Sequence, residues 1–279
     1  MKRVNFMAII AIAFGLTAMV TSCTNDAAAG SDASLTATAT DETQASNVSD
    51  EVVSSADEYV ANFEYAGFKV KNKDSVIITV DRPDSTSFPK VITIDFGTTG
   101  FKGKRGNVLK GKIIITVSNR MIVANSTRTI TFSHFFINDN AVKGSKTVTF
   151  MGLNADANPY WTISAHDTIT RVDGNVVIWN TERTRTRINN NNTPFFFWDD
   201  TYSLKGTSNG VNAKGKAYTM VITENNPLII DGVFPYFTKG TVTITSENKT
   251  VLVDYGDGTK DAKATATVNG VTKTFNLKK

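Results

Sequence analysis

From Phe68 nearly to the C-terminus, apolar and polar residues alternate with a period of two. That pattern suits strands with one buried face and one wet face, and it conflicts with helical packing. It marks residues 75–80, 90–96, 110–117, 128–136 and 145–150 as strands. It returns over 160–172, 175–188, 198–205, 214–223, 240–245, 250–255, 262–268 and 271–277. Thr, Val, Ile, Phe and Tyr fill these windows, and Gly, Asn and Asp punctuate them. The expected fold is all-β: a long antiparallel meander forming a curved sheet, a sandwich or an open barrel.

Two turns suggest registers. Asn269-Gly270 is a preferred type I′ pair, so Val268 should face Val271, Ala266 face Lys273 and Ala264 face Phe275. Treating Asp173-Gly174 the same way puts Trp161, Ile163, Ala165, Ile169, Val176 and Ile178 on one face. Tyr160, His166, Val177, Trp179, Arg183, Arg185 and Arg187 then share the other, which is read as solvated.

The N-terminal quarter is different. Lys2 and Arg3 precede an apolar run from residue 6 to residue 20, followed by the small residues Thr21 and Ser22. This is the layout of a secretory signal, and the run is shorter than the roughly 20 residues of a transmembrane helix. Residues 24–58 hold eight acids and no Lys or Arg, while residues 59–279 hold 28 basic and 18 acidic side chains. Residues 24–48 contain almost no large apolar side chain and read as a disordered acidic tether. One short amphipathic helix is expected over 49–66. Ser49 would cap it, Asp50 and Glu51 would suit its positive end, and Val52, Ala56, Tyr59, Val60 and Phe63 would form its stripe. Gly67 would end it.

The segments 91–97 and 250–256 both run from an apolar strand into Asp-aromatic-Gly. This suggests two related β units, 67–150 and 151–279, within a body spanning 67–279. The basic surface of that body suits an anionic partner, but its charge is dispersed, which argues against nucleic acid.

Val20-Thr21-Ser22-Cys23 resembles the bacterial lipobox, and Cys23 is the only cysteine. The resemblance implies cleavage after residue 22, acyl chains (such as palmitate) on Cys23, and attachment to a membrane. The segment from Ile94 to Gly106, with Lys110 to Thr116 after it, is similar to segments of uncharacterised lipoproteins of Bacteroidetes-type bacteria. Residues Val253 to Asp261 and Ala264 to Gly270 resemble them too. Those relatives often carry a cysteine in each turn, where this chain has Lys102 and Lys260 nearby. The resemblance implies an outer-membrane lipoprotein facing either the periplasm or the exterior. Asp74-Ser75-Val76, Asp84-Ser85-Thr86 and Asp167-Thr168-Ile169 look like the O-glycosylation sites of such bacteria. Asp254-Tyr255-Gly256-Asp257-Gly258 resembles a turn of PKD-type β-sandwich modules, without the rest of that module's pattern.

Catalytic material is thin. Gly206-Thr207-Ser208-Asn209-Gly210 fits Gly-x-Ser-x-Gly, but a strand pattern follows it where a serine hydrolase needs a helix. It reads as a turn. His134 and His166 are isolated and lack zinc-ligand or triad spacing. Asp254, Asp257 and Asp261 do not have calcium-loop spacing and read as turn formers. Gly97, Gly100, Gly103, Gly106 and Gly111 lie among Lys102, Lys104, Arg105, Lys110 and Lys112. Without a Gly-Lys-Ser/Thr ending this is no nucleotide loop, but a basic hairpin loop able to meet an anion. Four asparagines at 189–192 and the aromatics Phe195 to Trp198 read as a polar tip followed by core.

The expectation is therefore a non-enzymatic cell-envelope lipoprotein with a structural or assembly role, needing no cofactor or metal. Its partners would be the membrane, through the lipid, and a glycan or another envelope protein. The alternative is a lipoprotein that binds glycan or another anionic ligand through Tyr160, Trp179, Arg183, Arg185 and Arg187, where guanidinium forks lie beside aromatics. A hydrolase is the third and least supported reading.

Overall fold

A computed structural model describes residues 25–66, 76–84, 86–189 and 198–277. Cys23, Gly67, the Asp74-Ser75 pair, Ser85 and the aromatics Phe195 to Phe197 lie outside the described residues. Among the described residues one helix, α1 (Asn25–Tyr65), precedes fifteen strands. These are β1 (Ile77–Val80), β2 (Lys90–Asp95), β3 (Phe101–Lys102), β4 (Val108–Val117) and β5 (Thr127–Ile137). Next come β6 (Asn140–Leu153), β7 (Pro159–Thr170), β8 (Val176–Asn189), β9 (Thr201–Val211) and β10 (Ala217–Ile222). The last are β11 (Leu228–Asp231), β12 (Phe237–Ser246), β13 (Lys249–Asp257), β14 (Lys263–Val268) and β15 (Val271–Asn276).

All belong to one antiparallel sheet ordered β1-β2-β4-β5-β6-β7-β8-β9-β10-β12-β13-β14-β15. β3 pairs with β4, and β11 lies between β9 and β12 in line with β10. The expected meander is what forms. The proposed division at 150/151 falls inside β6, which pairs with β7 from Ala141 to Leu153, so the two β units are halves of one sheet. The two Asp-aromatic-Gly segments do share a local structure. Gly97 N–H donates to Asp95 Oδ1 at 2.9 Å, Gly256 N–H donates to Asp254 Oδ1 at 2.8 Å, and Phe96 and Tyr255 point into the core.

The sheet curls around α1. Helix side chains bond Asn107 before β4, Arg183 on β8, Asn212 after β9, Tyr218 on β10 and Tyr255 on β13. These partners are spread across most of the sheet, so the sheet must wrap the helix. Ile92, Ile113, Ile130, Val148, Ile163, Leu204, Ile244 and Val253 line the concave side. They pack with Val48, Val52, Val53, Ala56 and Val60 of the helix in one core cluster. Such tight curvature requires strand backbones to approach closely. At Gly206 (φ +132°) an added Cβ would sit 2.2 Å from the carbonyl oxygen of Glu182. The outward face carries a polar cross-strand row of Thr129, Thr147, Ser164, Glu182 and Thr207.

The disordered tether over 23–48 is corrected. The helix runs from Asn25 to Tyr65 without a break, and Ser49 lies in its middle rather than at its cap. Neither short nor amphipathic, it is buried on nearly all sides from Thr38 to Asp57. A helix lying on a surface needs an apolar stripe of its own. A helix inside a curled sheet needs small side chains for close approach and partners for its polar groups. Ala39, Thr43, Ala45, Ser46, Ser54 and Ala56 meet the first need, and the lining of the sheet meets the second.

Candidate functional site

The chemistry of the interior is set by acids on α1 and cations on the sheet. Glu42 is at its centre. One carboxylate oxygen lies 3.1 Å from the Arg183 guanidinium and accepts from Ser46 Oγ at 2.9 Å. The other accepts the Trp179 indole N–H and the Tyr218 hydroxyl, both at 2.9 Å. Arg183 also donates to Ser46 Oγ at 2.8 Å and lies over the Trp179 ring, 5.1 Å from its centroid. Two turns along the helix from Asp50, Asp57 is 2.9 Å from Arg128 and 3.5 Å from Arg185. Arg185 reaches Ser54 at 3.3 Å and stacks on the Tyr202 ring at 3.5 Å. At one end Asp41 pairs with Arg171 at 2.5 Å and accepts the Ala213 N–H at 2.8 Å. At the other, Trp198 donates to Glu58 at 2.6 Å and the Met121 N–H to Glu64 at 3.0 Å. The helix therefore enters among the β7–β8 and β9–β10 hairpin tips and ends beside the β4–β5 loop and Trp198.

Burial perturbs the groups around this axis. Desolvation pushes the Tyr202, Tyr218 and Tyr255 phenols upward; at Tyr218 the Glu42 charge adds to it, while at Tyr202 the Arg185 cation opposes it. Desolvation also raises the carboxyls of Asp167, which Lys146 partly offsets, and Asp200, which Tyr202 and Arg187 partly offset. It lowers Arg105, against Glu51 and Asp50. Lys146 and Asp167 form a further fully buried ion pair, with Lys146 5.5 Å from the Trp179 ring centroid.

The anionic-ligand surface predicted on β8 is corrected as a surface. Trp179 (0% exposed), Arg183 (4%) and Arg185 (2%) point into the core and are occupied by helix carboxylates. Arg187 pairs with Asp200 at 3.5 Å. Tyr160 lies on the opposite face, half-exposed and paired with Thr186, so the five residues do not converge. The cause is one residue in the turn. Arg171 N–H bonds Asn175 O at 2.9 Å, enclosing a three-residue loop with Gly174 at φ +84°. Thr170 therefore faces Val176 rather than Val177, and every β8 side chain changes face. Val176 and Ile178 turn outward, 41% and 42% exposed.

Other motifs resolve into structure. Ser208 is buried inside β9 opposite Thr181 and Met220, so its segment forms neither a nucleophile elbow nor the expected turn. The glycines on either side permit close strand approach: a Cβ at Gly210 would lie 1.9 Å from Ile178 O. His134 sits at a bulge in β5, and His166 bonds Asn180 at 2.9 Å on β7. Asp254, Asp257 and Asp261 each accept an N–H two residues on, as turn formers do. Thr168 lies within regular strand β7, and its neighbour Asp167 is the buried partner of Lys146.

Sequence reasoning missed Asp41, Glu42, Asp57, Arg128 and Lys146. The available signal was charge: an acidic segment without a single base beside a body rich in them. No protein-family profile matches the chain, and no curated protein or solved structure does either.

Proposed function

We propose that this chain is a non-enzymatic lipoprotein of the bacterial outer membrane, with a structural or assembly role, whose lipid at Cys23 is joined to the β body by a rigid shaft. The observation that carries this reading is α1 itself. It begins two residues after Cys23 and continues into the core, where Glu42 and Asp57 are held by buried arginines. Forty-one helical residues span about 60 Å, so force on the anchor acts on the middle of the fold rather than on a slack linker. Two or three acyl chains are needed for durable attachment, as lipoprotein processing supplies. The polar row across the outward face of the central strands supports a body standing in water beside the membrane.

Mass spectrometry of the native product tests the anchor. The expected mature chain starts at an acylated Cys23, and Cys23→Ser should move the protein from the membrane to the soluble fraction. An unmodified cysteine, or a Cys23→Ser variant still in the membrane, overturns the reading.

A further inference from the structure

We propose that Lys146 on β6 and Asp167 on β7 condense into an intramolecular amide that cross-links the two strands inside the core. The inference concerns the β body alone and does not depend on the lipid anchor.

Register brings the two side chains together. Lys146 faces Ala165 and Asp167 faces Gly144, so the pair are diagonal neighbours on the concave face of the sheet. Gly144, at φ +129°, lets the strands approach closely: a Cβ there would lie 1.9 Å from the carbonyl oxygen of His166. With no side chain opposite it on β6, the Asp167 carboxyl can turn toward Lys146. The two form an ion pair with side chains 0% and 1% exposed. Trp179 faces Asp167 from β8 and closes the other side, its ring centroid 5.5 Å from Lys146 Nζ. Ala165 and Val148 are buried beside them.

This pair differs from the helix-to-sheet pairs of the core in two respects. There the cation is arginine: Arg128 and Arg185 with Asp57, and Arg183 with Glu42. A guanidinium stays protonated, whereas a lysine amine becomes a nucleophile on losing a proton. Glu42 is also held by four groups, while Asp167 Oδ1 has no hydrogen-bond partner among the described residues. A buried ion pair without further hydrogen bonds is poorly compensated for leaving water. Desolvation raises the Asp167 carboxyl toward its neutral form, against the Lys146 charge. One proton passing from Nζ to Asp167 gives the amine and the acid. Nζ then bonds Cγ, the Cγ–Oδ1 bond breaks, and Oδ1 leaves as water with the two protons Nζ has given up. Nothing is oxidised or reduced. Placement drives the step, since held reactants reach effective molarities on the order of 10⁵–10⁸ M. The product replaces two buried charges with a neutral amide that ties β6 to β7 in the middle of the sheet.

Tryptic mapping of the native product after denaturation tests this, read by tandem mass spectrometry. An unlinked chain is cut after Lys143, Lys146 and Arg171, releasing residues 147–171 at full mass. A linked chain resists cutting after Lys146 and yields residues 144–171 as one peptide lighter by one water. Single backbone breaks between Lys146 and Asp167 then release no fragment, because the amide holds the loop closed. That looped peptide is the expected result. Lys146→Arg, which keeps the charge but cannot be acylated, and Asp167→Ala should each restore cutting after residue 146 and a 147–171 peptide of the mass its sequence dictates. The mass is read on unfolded chains, so the native result stands whether or not the variants fold. Residues 147–171 at full mass from the native protein overturn the proposal. So does a water loss that persists in Lys146→Arg, which would belong to a succinimide at an aspartate.

Discussion

Glu42 and Arg183 face each other across 3.1 Å at the centre of the curled sheet, and both side chains are almost fully buried. Taking two charges out of water is costly, and the pair persists because each ion has further hydrogen bonds: Trp179, Tyr218 and Ser46 around Glu42, and Ser46 around Arg183. Breaking the pair from one side should therefore be expensive. Glu42→Gln keeps the shape but strands a buried guanidinium, with an expected loss of about 3–5 kcal/mol in urea unfolding. Glu42→Gln combined with Arg183→Met should cost much less than the two single changes added together, because no buried ion is then left alone. Additive losses would refute the coupling.

The continuous helix makes a direct prediction about proteolysis. A glutamate-specific protease should leave the bonds after Glu42 and Glu51 intact in the folded protein, because both residues are buried. Hydrogen exchange should show residues 38–57 among the most protected amides, since their release requires the core to open. Rapid cleavage after Glu42 would restore a flexible tether.

These two experiments probe what the sequence did not reveal. The strands were legible because alternation reports a half-buried sheet directly, and the β14–β15 hairpin has the register its Asn269-Gly270 turn implies. The helix was hidden because composition measures only what a segment brings to its own burial. Residues 24–48 have few large apolar groups, and those from Thr38 onward are largely buried because the sheet brings Arg171, Trp179, Arg183 and Tyr218 to them. The face of the β8 arginines was hidden for a narrower reason. Asp-Gly fits a two-residue or a three-residue loop, and the two options differ by one position of register. The acidic run and the arginine stripe were both visible; that they are partners depended on that single residue.

The Gly-x-Ser-x-Gly segment separates catalytic from structural readings. Ser208→Ala removes a buried hydroxyl that has no hydrogen-bond partner among the described residues, so stability should change by no more than about 1 kcal/mol, in either direction. Gly206→Ala adds a Cβ to a residue at φ +132°, where it would collide with the carbonyl of Glu182. That should cost at least about 2 kcal/mol. A nucleophilic role predicts a different pattern, with an esterase or glycosidase activity that Ser208→Ala alone abolishes.

Alkaline pH offers a test of the whole interior. Tyr202, Tyr218 and Tyr255 have phenol pKa values raised above the ordinary 10.0, with burial as the main cause. In the unfolded chain the same phenols ionise near the ordinary value. Their neutral form thus favours the folded state fully below pH 10, and that contribution is lost as pH rises past it, because only the unfolded state releases protons. Ultraviolet titration should show these three of the chain's seven tyrosines ionising only in step with the loss of tertiary structure. Tyr255→Phe removes one of them along with its 2.7 Å bond to Thr43 on the helix. It should lower stability by about 1 kcal/mol at neutral pH and shift alkaline unfolding to higher pH relative to its own neutral baseline. If all seven phenols titrate freely while the fold remains intact, the helix is not enclosed by the sheet.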